Sequence, residues 1–216
     1  MLMKKERELV VEYGKKLITA GLTSGTGGNI SIFDPDTGYM AISPSGVDYF
    51  ETRPQDVVIM KASDTSKVDG ELKPSSEYLL HSVFYNKRND IRAVVHTHSP
   101  YATALATLGE GLPASSYLVA MAGPDVKCAP YRSFGTQQLA DIACEYMKER
   151  SCVLLANHGL VAGGPNIARA FSIAQTIEEC CRNYHLARCI GKPLILPEEE
   201  MKNLAVRFRT YGQTKK

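Results

Sequence analysis

Ile91-Arg92-Ala93-Val94-Val95-His96-Thr97-His98 is the stretch on which the reading of this chain turns. Ala93-Val94-Val95 is apolar on consecutive residues, as in a strand buried on both faces. A buried strand in a sheet covered by helices is therefore expected. Residues two apart on a strand point to one face. His96 and His98 would then present two imidazoles to one side of a sheet end, within reach of a single ion.

The elements around this stretch alternate. Upstream, residues 6–20 read as a helix with Leu9, Tyr13 and Leu17 at helical spacing and Gly21 as its stop. Residues 30–33 and 39–42 read as strands joined by the turn Asp34-Pro35-Asp36-Thr37-Gly38, and residues 57–60 as another strand. Pro74-Ser75-Ser76 opens a helix with Leu79, Leu80, Val83 and Phe84 as its buried stripe, which places Glu77 in the first turn. Downstream, residues 126–129 and 153–156 read as strands, and residues 136–150, 166–190 and 197–208 as helices. Interleaved strands and helices predict an α/β fold. Short hairpins among the connections predict a mixed sheet.

The 216 residues suit a single domain over 1–216. A net charge of +2 without an arginine- or lysine-rich run argues against a nucleic-acid partner. The first ten residues carry Lys4, Lys5, Glu6, Arg7 and Glu8 in place of an apolar signal core, and no window approaches a membrane span. Six scattered cysteines without a CxxC pair predict free thiols and a cytoplasmic setting.

His158 follows the apolar run Val153-Leu154-Leu155-Ala156, so it too is placed at a strand end. Three neutral imidazoles with an open position make a catalytic zinc site if they meet in space. Each alone is equally at home as a structural or loop histidine. Glu77 alone reads as a helix-dipole partner, His81 as a hydrogen-bonded structural residue, and His185 as a surface residue. Three small-residue loops could cradle a phosphate. Thr26-Gly27-Gly28-Asn29 and Ser43-Pro44-Ser45-Gly46 offer backbone N–H groups and side-chain donors. Ser75 and Ser76 stand at a helix N-terminus.

Taken together, Gly25-Thr26-Gly27-Gly28-Asn29, Pro74-Ser75-Ser76-Glu77, Val94-Val95-His96-Thr97-His98, Ala129-Pro130-Tyr131 with Phe134-Gly135-Thr136, Asn157-His158-Gly159-Leu160 and the tail residues 208–212 resemble the class II aldolase/adducin family. The resemblance implies a three-layer α/β/α fold around a mixed, mostly antiparallel sheet. It also implies a homotetramer with active sites between subunits. His96, His98 and His158 would hold Zn²⁺, one ion per subunit, with Glu77 as fourth ligand and proton-transfer base. Tyr117 would reach a neighbour's site as a proton donor. Thr26, Gly28, Asn29, Ser45, Gly46, Ser75 and Ser76 would bind phosphate, and Phe134, Phe208 and Tyr211 would form the rest of the substrate pocket. The implied reaction is reversible cleavage of a ketose 1-phosphate, L-fuculose 1-phosphate foremost, to dihydroxyacetone phosphate and an aldehyde, L-lactaldehyde. Related 4-epimerases carry Asp where Glu77 stands, which favours the aldolase. A methylthioribulose-1-phosphate dehydratase and a non-catalytic adducin-like binding module are the other members that the resemblance admits.

Overall fold

The computed structural model describes residues 1–209, the side chain of residue 209 excepted; Tyr211 lies outside the described residues. Helix α1 (Lys4–Thr19) leads into strands β1 (Asn29–Asp34), β2 (Tyr39–Ile42), β3 (Val58–Lys61) and β4 (Lys67–Asp69). Then follow α2 (Tyr78–Lys87), β5 (Ala93–Thr97), α3 (Pro100–Thr107), β6 (Lys127–Ala129), α4 (Gln137–Met147), β7 (Cys152–Leu155), β8 (Gly159–Gly164), α5 (Ile167–Ile190) and α6 (Glu198–Arg209). The strands form one eight-stranded sheet in the order β4-β3-β2-β1-β5-β8-β7-β6. All neighbours run antiparallel except β6 and β7. The fold is the mixed, mostly antiparallel α/β sheet expected.

Period-2 alternation sorts the core into two layers. Ile30 and Ile32, Ala93 and Val95, Leu154, Leu160 and Ala162 pack with α1, α3, α5 and α6. Met40, Ile42, Val94, Val153, Leu155 and Val161 pack with α2 and α4 on the other face. The consecutive apolar run of β5 is thus split between two cores. No helix of the described residues is long and apolar enough to cross a membrane. All six cysteines are free.

Two boundaries near the site and one buried position differ from expectation. Helix α2 begins at Tyr78, with Glu77 as its N-cap, so Pro74-Ser75-Ser76 precede the helix and do not open it. Leu79 is half-buried, outside the stripe. Strand β5 ends at Thr97, so His98 stands just past it. Three elements were not anticipated, the short edge strand β4 among them. Three glycines mask β8 as a strand, yet each marks a close approach: a Cβ on Gly159 would lie 2.2 Å from the Thr97 carbonyl oxygen, and one on Gly163 would lie 2.7 Å from Ile91 Cδ1. Helix α3 has no capping side chain of its own; the Glu178 carboxylate on α5 accepts from the N–H groups of Tyr101 (2.9 Å) and Ala102 (2.8 Å).

The buried face of α1 also differs. It is Arg7, Val10, Gly14 and Leu17, while Leu9 and Tyr13 are only partly covered. Arg7 is 1% exposed. Its guanidinium donates to the carbonyls of Leu2, Pro54, Gln55 and Val57 and pairs with the Asp69 carboxylate at 2.5 Å. It therefore ties α1 to the segments flanking β3. Replacing it with methionine keeps the stem and strands these carbonyls and Asp69. The expected cost is about 3–5 kcal/mol, or a fall of roughly 10 °C in the thermal midpoint for a chain of this size. Calorimetry of Arg7→Met, with metal content measured alongside, checks it; an unchanged midpoint would show that water replaces the guanidinium without loss.

Candidate metal centre and substrate cavity

The centre is built where β1, β5 and the β7–β8 turn meet. Asn29 pairs with His96 across β1 and β5, and Thr97 pairs with Leu160 across β5 and β8. Glycines back the histidine stretch on both sides. Gly28 has φ +67, and a Cβ there would lie 2.6 Å from the His96 carbonyl oxygen. Gly159 admits the Thr97 carbonyl in the same way and leaves room for His98. His158 is presented by a tight turn in which Asn157 takes a left-handed φ of 56, a conformation asparagine tolerates better than most residues.

The three imidazoles meet. Ring centroids are 4.8 Å apart for His96–His98 and His96–His158, and 5.3 Å for His98–His158. His96 Nε2 lies 3.0 Å from His98 Nε2 and 3.1 Å from Glu77 Oε2, and His158 Nε2 lies 3.3 Å from Glu77 Oε1. One ligand atom from each of the four residues falls within 4.8 Å of every other.

The donor chemistry fits a cation. His96 Nδ1 donates to the Leu160 carbonyl at 2.9 Å, which leaves Nε2 as the lone-pair nitrogen facing inward. Two lone pairs 3.0 Å apart repel unless a proton or a metal ion lies between them. Oε1 of Glu77 is buried and accepts no hydrogen bond, the position of a ligand oxygen. Burial, reinforced by the nearby charge of His96, pushes His98 and His158 down to about 4, so both are neutral and able to ligate. Burial alone would raise the Glu77 carboxyl. His96, then His158 and Asn29, outweigh it and hold Glu77 well below the usual carboxylate range. His96 shows the converse: burial lowers it, but Glu77 and the Leu160 carbonyl raise it overall. Three imidazoles and a carboxylate make an N₃O set of the zinc type.

A cavity of about 370 Å³ opens over this centre. Thr26, Gly28, Asn29, Ser45, Gly46, Ser75, Ser76, Glu77, His98, His158 and Phe134 all line it. The structure therefore gathers every described residue of the expected phosphate group, with Phe134, around the metal residues; His96 lies fully buried beneath. Asn29 is doubly engaged, donating from Nδ2 to Glu77 Oε2 at 3.0 Å and facing His81 through Oδ1. Tyr131, Arg132 and Asn157 also line the cavity; Tyr131 and Asn157 figure in the sequence only within motifs, with no site role read for them, and Arg132 not at all. Arg132 adds a guanidinium suited to anions, but one arginine in a loop leaves no pattern to read.

Tyr117 and Phe208 are not brought to this cavity within one chain. Their rings stack with centroids 6.2 Å apart and line a separate cavity of about 460 Å³ with Met121, Arg169 and Leu204. Tyr117 is 56% exposed. His81, read as structural, is fully buried and hydrogen-bonded through both ring nitrogens. His185 lies on the surface, its ring against Tyr101.

Residues 8–185 match the family described as the Class II Aldolase and Adducin N-terminal domain. Over 99% of its length this chain is 59% identical to the whole of a Bacillus thuringiensis serovar kurstaki protein named 5-deoxy-D-ribulose 1-phosphate aldolase. It is 38% identical, over 95% of this chain and 92% of the relative, to a Rhodospirillum rubrum protein named 5-methylthioribulose-1-phosphate/5-deoxyribulose-1-phosphate aldolase. A solved structure titled L-fuculose 1-phosphate aldolase superposes with a TM-score of 0.94 at 46% identity, covering 97% of this chain and 98% of the other. With its histidine and glutamate cluster in place, the chain belongs to the class II aldolase/adducin family and is a metal-dependent aldolase.

Proposed function

We propose that the cavity binds a ketose 1-phosphate ending in a methyl group and breaks its C3–C4 bond reversibly, with 5-deoxy-D-ribulose 1-phosphate as the preferred substrate. The observation that carries the chemistry is the convergence of three imidazole nitrogens and the Glu77 carboxylate beneath the cavity lined by the hydroxyl- and glycine-rich loops. The substrate is supported by the name of the 59%-identical relative. Cleavage of that ketose gives dihydroxyacetone phosphate and acetaldehyde. L-fuculose 1-phosphate, which would give L-lactaldehyde, shares the phosphate half and the terminal methyl and is the alternative substrate.

Zinc held by His96, His98 and His158 would supply a Lewis acid at the ketone oxygen. The phosphate would sit against Thr26, Gly28, Asn29, Ser45, Gly46, Ser75 and Ser76, anchoring one end so that C3 lies beside Glu77. Asn29 holds Oε2 of Glu77, so Oε1 is the oxygen left to take a proton. In the synthetic direction Glu77 takes the C3 proton of dihydroxyacetone phosphate, C3 bonds to the aldehyde carbon, and a tyrosine gives the aldehyde oxygen its proton. Cleavage runs the same steps backwards. Phe134 would face the methyl end. Zinc as the metal, a single domain over 1–216 and the cytoplasm as compartment complete the reading; a reducing compartment suits six unpaired thiols.

Tyr117 and Phe208 sit apart from the metal centre of their own chain, so they would serve a second copy, in a homotetramer with sites between subunits. Tyr117→Phe and His96→Ala are each expected to be inactive alone. Mixed after partial denaturation and reassembly, they should recover part of the wild-type rate, because some sites then hold both intact groups. No recovery would remove Tyr117 from the neighbouring site. The substrate itself is tested by coupled detection of dihydroxyacetone phosphate over a panel of ketose 1-phosphates. The highest kcat/KM is expected for 5-deoxy-D-ribulose 1-phosphate, and a clear preference for L-fuculose 1-phosphate would reverse the assignment.

A further inference from the structure

Starting at Glu77 and Asn29 on the cavity wall and running inward, five polar side chains are buried in a row. Glu77 and Asn29 are each 5% exposed, Ser31 and His81 0%, and Tyr85 5%. They lie on β1 and α2 beside the apolar core to which Leu80, Phe84 and Val94 belong. Buried polar groups are costly without partners, yet each here has them. Asn29 Nδ2 lies 3.0 Å from Glu77 Oε2, Asn29 Oδ1 lies 2.5 Å from His81 Nε2, His81 Nδ1 lies 2.7 Å from Ser31 Oγ, and Ser31 Oγ lies 2.5 Å from the Tyr85 hydroxyl.

The direction of every bond follows from one end. An ionised carboxylate only accepts, so Asn29 must turn its NH₂ to Glu77 and its oxygen to His81. His81 must then carry its proton on Nε2, which leaves Nδ1 to accept from Ser31. The Ser31 hydrogen being used, its oxygen accepts from Tyr85. Donors all point one way, from Tyr85 on α2 through β1 to Glu77. A reversed Asn29 amide would set oxygen against oxygen at Glu77, and N–H against N–H at His81 for as long as His81 keeps its proton on Nε2.

We propose that His81 is a positioning residue for the reaction: it locks the Asn29 amide so that Nδ2 holds Oε2 of Glu77 and Oε1 stays free for the proton. This rests on the reading of Glu77 as the proton-transfer group. His81 touches neither metal nor substrate and acts through Asn29. A buried polar partner directly behind a metal ligand, as Asn29 is to Glu77, typically affects activity by 10–100-fold; His81 fixes that partner from one step further back, and four aligned groups lead to the one carboxylate.

The test uses the zinc-loaded enzyme, with kcat, KM, metal content and thermal midpoint for His81→Leu and His81→Gln, each also in a Glu77→Gln background. For His81→Leu, metal content should hold and kcat should fall about 10–100-fold with KM within about threefold. His81→Gln, whose amide N–H can reach Asn29 Oδ1, should recover most of the loss. In the Glu77→Gln background, His81→Leu should cost nothing further. Wild-type kcat in His81→Leu overturns the proposal, as does a loss confined to KM, a glutamine variant no better than leucine, or a full additional loss on top of Glu77→Gln. If His81→Leu fails to fold, Ser31→Ala decides: kcat lowered about fivefold, the worth of one neutral hydrogen bond, supports the lock, and unchanged kcat refutes it. The two layers separate cleanly, because wild-type turnover in Glu77→Gln removes the base, whereas an inactive Glu77→Gln beside a fully active His81→Leu removes only the role of His81.

Discussion

Glu77→Gln should keep its metal and lose turnover by about a thousandfold, within the 10²–10⁴ that a positioned proton-transfer group contributes. The amide matches the carboxylate in shape, and its oxygen can still accept from Asn29 Nδ2, now 3.0 Å from Oε2. Three imidazoles remain to hold the ion, the protein share of many catalytic zinc sites. The missing function is basicity. Oε1, which accepts no hydrogen bond in the structure, becomes an NH₂ that cannot take the C3 proton. Metal analysis of the purified variant together with single-turnover cleavage of a ketose 1-phosphate separates the two effects. Near-normal turnover would mean that another group moves the proton. Metal loss equal to that of a histidine variant would mean that Glu77 is mainly a ligand.

His96→Ala is expected to behave in the opposite way, losing ion and activity together. His96 is the fully buried ligand, between Glu77 and His98, with its ring fixed by the Leu160 carbonyl. Structural zinc binding of about 10–16 kcal/mol shared over four ligands assigns each about 3–4 kcal/mol, so affinity should fall several hundredfold. A competitive chelator titration measures it, and a variant as tight as wild type would displace His96 from the ligand set. The wild-type protein should also show a pH signature. Glu77 raises His96 in the metal-free protein. Below that raised value one proton must leave for each ion bound, so apparent affinity drops about tenfold per pH unit as acidity increases. His98 and His158, at about 4, steepen the loss only in stronger acid. In His96→Ala the first segment of that profile should be absent.

The histidine residues were legible because their signal is local. An apolar run that ends in His-x-His places two rings at a strand end whatever the rest of the chain does, and β5 with His96 and His98 conforms. His158 was legible as a second strand end, but only the fold shows that β8 lies beside β5 and brings it near. Glu77 carried no physical signal of its own, since an acidic residue at a helix start is commonplace; its place came from the family resemblance. Strand β8 was hidden because glycine lowers strand propensity, although Gly159 and Gly163 are there for the close contacts of that strand. Arg7 was hidden because a charged residue in a helix reads as solvent-facing, whereas five oxygen-bearing partners, four of them backbone carbonyls, surround it. The row from Tyr85 to Asn29 was hidden because its members lie on different elements and none is unusual by itself.

The placement of the strands divides chemistry from selectivity. The metal-centre residues and Asn29 sit on or beside β1 and β5 in the middle of the sheet, where a Cβ at Gly28 or Gly159 would already collide with a neighbouring strand. Phe134 and Phe208 stand on outlying segments, Phe134 exposed and Phe208 partly buried. The interior can therefore accept almost no change, while the rim can be rewritten at little cost to folding. On the proposed reading, a change in the sugar this chain accepts would be written in the rim while the metal centre stays as it is.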